Sequence, residues 1–127
     1  MKLTKVKIGD TIYHIKYVEK ISDIVREIDD VKLRTEILGL CYPKDGFWEP
    51  GKIVVKISEN PNKTANTVFH EITHALFTEM MYQSPQHKLK LNQLNNDEKF
   101  IQQFSEALRD IFESLKRGKT WHLIWTY

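Results

Sequence analysis

Residues 67–77 read TVFHEITHALF, two histidines four apart with a glutamate directly after the first. On an α-helix, residues four apart differ by only about 40° around the axis, so His70 and His74 share one face. Two imidazoles one turn apart both reach a single ion at about 2.0–2.1 Å. They leave positions for a third protein ligand and a water, the open arrangement of a catalytic zinc. Glu71, about 100° round from His70, stands beside such an ion, where its carboxylate can take a proton from the water that the ion activates. Chance arrangement of this composition yields HExxH in roughly 1 chain in 70, so the surroundings must carry weight.

Working outward, Asn60-Pro61 supplies an N-cap and a proline at the first helical position, so the helix opens at Pro61 and is expected to run to about Tyr82. Ala65, Val68, Phe69, Ile72, Leu76 and Met80 form an apolar stripe centred roughly 120° or more from the two histidines. The histidines therefore do not belong to the face aimed at that core. Phe77 and Met81 continue the histidine side toward the C-terminus, which calls for another element covering it there.

Upstream, KVKIGDTIYHIKYVEKI (residues 5–21) alternates apolar and polar residues about Gly9-Asp10, the pattern of a hairpin. EILGLCY (36–42) and the β-branched KIVVKI (52–57) read as two further strands around the turn-rich PKDGFWEPG (43–51). Residues 22–36 have too little apolar spacing for a clear helix and read as a short helical piece followed by a loop. Residues 83–96, with Ser84-Pro85 and several Asn and Gln, read as a connecting loop. A second helix is expected from about Asp97 to Lys116, stopped by Gly118, and KTWHLIWTY (119–127) reads as a last strand or flap. The expected fold is α+β: an N-terminal antiparallel or mixed sheet of about four strands, packed on the HExxH helix and a second C-terminal helix.

A chain of 127 residues at 41% hydrophobic sustains one modest core, so residues 1–127 are expected to form a single domain. Nineteen Lys plus Arg against 17 Asp plus Glu give +2, short of the strong basic excess of a dedicated nucleic-acid binder. The N-terminus MKLTKVKIGD lacks the apolar core of a secretory signal. No apolar run approaches the roughly 18 residues of a membrane span. The single cysteine, Cys41, cannot form an internal disulfide, which suits a reducing compartment, and the cytoplasm is the expected location.

A third ligand is expected on the second helix, which offers Asp97, Glu98 and Glu106. Its apolar face consists of Phe100, Ile101, Phe104, Ala107, Leu108, Ile111 and Leu115. Glu106 lies nearly opposite that stripe and reads as a solvated carboxylate. Glu98 lies on the stripe's border in the first turn, where it can reach a neighbouring helix, and is preferred; Asp97 reads as the cap.

The order of strands, TVFHEITHALF helix and DEKFIQQFSEAL helix resembles the minimal gluzincin-like metallopeptidases, including small phage-encoded proteins and the catalytic core of the ImmA/IrrE group, over about residues 37–112. That resemblance implies a zinc cofactor held by His70, His74 and Glu98, with Glu71 as general base. SEALRDIF is also similar to the glutamate helix of thermolysin-like enzymes, a register that would select Glu106, with Asp110 behind it. In such folds an edge strand holds the extended substrate. ILGLCY is similar to that strand, which makes Gly39, Leu40 and Cys41 the expected substrate-binding residues, with Gly39 keeping the backbone approachable.

The function expected is zinc-dependent hydrolysis of peptide bonds in a protein substrate. One alternative is a catalytically silent zinc-containing binding or anti-defence module of phage type. A second is a DNA-associated SprT-like protease, suggested by Lys116, Arg117, Lys119 and His122 beside Trp121 and Trp125, although core aromatics and solvated charge weigh more. The protein or peptide substrate is the one partner expected, with neither membrane nor nucleic acid. A transition-state donor is sought among His14, His87, His122, Tyr42, Tyr82 and Tyr127. Cys41 reads chiefly as a small buried hydrophobe.

Overall fold

The structure, a computed structural model, describes residues 3–20, 39–42 and 51–116. The expectations for residues 22–36, for most of the turn at 43–50 and for the tail 119–127 lie outside the described residues. Strands β1 (Lys5–Ile8) and β2 (Thr11–Val18) pair antiparallel, with Ile8 opposite Thr11. The two-residue connection Gly9-Asp10 uses φ 61° at Gly9, the left-handed conformation that glycine adopts without a steric penalty. Strands β3 (Gly39–Tyr42) and β4 (Lys52–Lys56) pair antiparallel, while β4 lies parallel to β2. The result is a mixed sheet of order β1-β2-β4-β3, with β3 at one edge among the described residues.

Helix α1 (Pro61–Gln83) begins as the sequence predicts: Asn60 Oδ1 accepts the Asn62 N–H at 2.9 Å, and proline follows the cap. Ile8, Tyr13, Ile15, Ile53 and Val55 on the inner sheet face meet Val68, Phe69, Ile72 and Ala75 of α1 in the main core. A second core forms on the other side of α1, where Phe77 packs with Leu91 and Ile101 and with half-buried Met81, Leu94, Phe100 and Phe104. Burying Leu91 and Ile101 contributes roughly 1.5–3 kcal/mol each. This is the cover that Phe77 and Met81 called for. Enclosed on two sides, α1 also buries polar Thr67, Thr73, Glu71 and Glu79. Thr73 Oγ1 donates to the Phe69 carbonyl at 2.8 Å, and Glu79 accepts the Tyr13 hydroxyl at 2.9 Å, so both polar groups are satisfied.

Two sequence expectations are corrected. Residues 85–95 are not a loop: a 3₁₀ turn (Pro85–His87) leads into helix α2 (Lys88–Asn95). Its leucines at 91 and 94 are too few to signal a helix by periodicity, and tertiary burial of Leu91 holds it in place. Helix α3 (Glu98–Lys116) starts within one residue of expectation, but only Ile101 and Ser105 are fully buried. Ile111, expected on the apolar face, is 58% exposed among the described residues, and Ala107 is exposed as well.

Candidate metal centre

His70 and His74 lie in mid-helix α1 on the side facing α3, their ring centroids 5.0 Å apart. Donor atoms of His70, Glu71 and His74 all fall within 4.8 Å of one another. The first residue of α3 closes the arrangement: Glu98 places Oε2 at 2.9 Å from His70 Nε2 and Oε1 at 3.3 Å from His74 Nε2. Glu98 is largely exposed and falls outside the tightest grouping, yet among the described residues it alone spans both imidazoles. Glu71 is buried at 7% exposure. Its loss of solvent, and secondarily the charge of Glu98, push its carboxyl up to about 8.

The other nitrogen of each imidazole is committed. Gln102 Nε2 donates to Glu106 Oε1 at 3.0 Å, which turns the amide oxygen of Gln102 toward His70 Nδ1 at 3.2 Å. His70 Nδ1 must therefore donate, and its Nε2 carries a lone pair. His74 Nδ1 lies 2.8 Å from Asn95 Oδ1, which, as the amide is oriented, favours the same tautomer. Two lone pairs thus face the two oxygens of one carboxylate. In that tautomer acceptors face acceptors, an arrangement that one divalent cation between the rings and the carboxylate would relieve. The donor set of two imidazoles and a carboxylate suits such a cation.

Glu106 touches neither Nε2 atom and acts on His70 only through Gln102. Asp97 caps α3, its Oδ1 accepting the Phe100 N–H at 3.1 Å. Asn95 and Gln102 were not singled out from sequence, since amides in a polar stretch and on an exposed helix face carry no spacing signal.

A cleft of about 420 Å³ opens beside the histidines, lined by Gly39, Thr67, His70, Glu71 and Gln102, with Lys63 and Asn66 toward the start of α1. Gly39 sits over Thr67 and Glu71, where an added Cβ would stand 2.8 Å from Thr67 Cγ2 and 2.9 Å from Glu71 Cγ. Its small size is thus demanded first by the helix beneath. Leu40 pairs with Val54, and Cys41 pairs with Ile53 and packs on the main core. Burial, then the charges of Glu71 and Glu79, raise the Cys41 thiol well above its usual range, as expected of a small hydrophobe. Of the described donor candidates, His14 lies on the exposed sheet face and His87 on the 3₁₀ turn. Tyr82 lines a separate hollow with Asn92 and Asn95.

An α+β scaffold presenting an HExxH candidate metal centre at the mouth of a cleft is the class of protein that fold and site define. Comparisons of the chain with protein-family models, with curated proteins and with solved structures gave no match. Among the described residues, no helix is long and apolar enough to cross a membrane.

Proposed function

We propose that this chain is a zinc-dependent peptidase of gluzincin-like type, acting on a protein substrate. One observation carries the reading: the Glu98 carboxylate bridges two Nε2 atoms whose rings are already locked by Gln102 and Asn95, with a buried glutamate alongside. His70, His74 and Glu98 would hold the metal. When bound, zinc supplies a Lewis acid and a water acidic enough to lose its proton near neutral pH. Glu71, buried beside the two histidines, would be the group that accepts a proton at its carboxylate and hands it to the departing amine. Strand β3, at the sheet edge above Thr67 and Glu71, offers backbone groups on which an extended peptide can add as a further strand, bringing one carbonyl to the cleft.

Elemental analysis of protein purified without chelator, beside proteome-wide mapping of new termini, tests the reading. Wild type should carry one zinc per chain and generate cleavages. Glu71→Gln should keep the zinc and lose the cleavages, whereas His74→Ala should lose both. Absence of stoichiometric metal in the wild type removes the proposal, and loss of zinc from Glu71→Gln overturns the division of roles.

A further inference from the structure

Most polar side chains lining the cleft beside His70 are already engaged. Thr67 Oγ1 is engaged with the Lys63 carbonyl at 3.1 Å. Gln102 spends its amide on His70 and Glu106, and both nitrogens of His70 are taken. Arg109 of α3 donates to Asn66 Oδ1 at 2.5 Å and, through its other nitrogen, to Asn62 Oδ1 at 2.9 Å. That contact fixes the orientation of the Asn66 amide: its oxygen faces Arg109, and its NH₂ group is left to donate. The acceptors of Arg109 are neutral amide and carbonyl oxygens, so no carboxylate among the described residues pairs with its charge. Lys63 forms no ion pair among the described residues. Lys56 lines the adjoining hollow together with Lys63 and Thr67.

Apart from Glu71, the Lys63 ammonium and the Asn66 NH₂ are the polar side-chain groups lining the cleft that make no hydrogen bond or ion pair among the described residues. Both are donors, with the cation Arg109 behind one of them. A ligand filling this end must bring acceptors, and negative charge suits it best.

We infer that the end of the cleft formed by Lys63 and Asn66 is a specificity subsite for a carboxylate side chain, so that the substrate is a peptide with Asp or Glu near the scissile bond. The inference rests on the peptidase reading and deepens it. Lys63 precedes His70 by seven helical residues, about 10 Å along the axis. An extended peptide covers that length in about three residues, which places the acidic residue two to four positions from the cut. Lys63 contributes the charge. Asn66, oriented by Arg109, contributes a directed hydrogen bond.

The test uses two matched fluorescent decapeptide libraries, one with Glu fixed at a single scanned position and one with Gln there, all other positions being degenerate. Binding is read by anisotropy on zinc-loaded Glu71→Gln protein, which separates recognition from turnover. One Glu position should bind up to about fivefold tighter than Gln, the scale of a partly exposed ion pair. That preference should shrink as salt is raised and vanish in Lys63→Met, an exposed substitution that leaves both cores intact. Equal binding of the two libraries overturns the inference, as does a preference that survives in Lys63→Met. Sensitivity to Asn66→Leu without sensitivity to Lys63→Met would make this a site for a neutral main-chain carbonyl and overturn it equally. Turnover of the same libraries by wild-type protein keeps the two readings apart. Cleavage indifferent to acidity sinks the subsite alone, and charge-selective binding without cleavage sinks the peptidase reading alone.

Discussion

Zinc affinity should fall in a definite order when the four polar residues around the two histidines are changed one at a time. Glu98→Gln removes a charge that spans both Nε2 atoms, at 2.9 and 3.3 Å. Its loss should exceed the roughly 0.3–1 kcal/mol attached to a charge at a helix N-terminus and reach at least about 100-fold, or about 2.7 kcal/mol. Asn95→Leu and Gln102→Leu leave the ligands in place but free a ring from its partner. Partners of ligating histidines are worth about 10–100-fold in affinity. Asn95, half-buried and 2.8 Å from His74, belongs toward the top of that range, and exposed Gln102, at 3.2 Å from His70, near the bottom. Glu106→Gln preserves an oxygen for Gln102 Nε2 and should cost no more than about threefold, the scale of one exposed interaction. Titration against a competing chelator measures all four, with circular dichroism confirming that each variant folds. If Glu106→Gln weakens zinc more than Glu98→Gln, the cleft uses a different face of α3 and the reasoning fails.

Two further outcomes follow from the geometry. In chelated protein, the raised Glu71 pKa means that the folded state keeps a proton which the unfolded chain has already lost, so stability should fall as pH rises from about 4.5 to about 8. At 1.36 kcal/mol per pH unit this has a ceiling of about 5 kcal/mol; Glu71→Gln should flatten that slope in urea titrations, and an unchanged slope would refute the assignment. Gly39→Ala should cost about 1–3 kcal/mol by overpacking and should also impair hydrolysis, because the new methyl meets both Thr67 Cγ2 and Glu71 Cγ. Adding Thr67→Ser should restore part of the stability but not the activity, and a Gly39→Ala protein neutral in both assays would contradict the close approach.

Local patterns determined the parts of this protein that depend on neighbours along the chain. The Gly9-Asp10 hairpin, the β-branched strand at 52–56, the Asn60-Pro61 helix start and the single-face placement of His70 and His74 all follow from backbone preferences and the period of the helix. The short helix at 88–95 was illegible because its two inward leucines are stabilised by Phe77 and Ile101, which are distant in sequence. The exposure of Ile111 was equally hidden, since which side of α3 faces α1 is set by how the two helices dock. At the site, spacing nominated the histidines and Glu71 but left Glu98, Glu106 and Asp97 as rivals. Three-dimensional packing gives them different surroundings, Glu98 on both imidazoles, Glu106 one amide away and Asp97 on its own helix cap. The partners Asn95 and Gln102, and the Asn66 amide that Arg109 orients, emerge from contacts 21 to 43 residues apart in sequence. A hydrogen bond between distant residues is specified by how helices dock, and docking is set by the summed burial of many side chains, none of which carries the information alone.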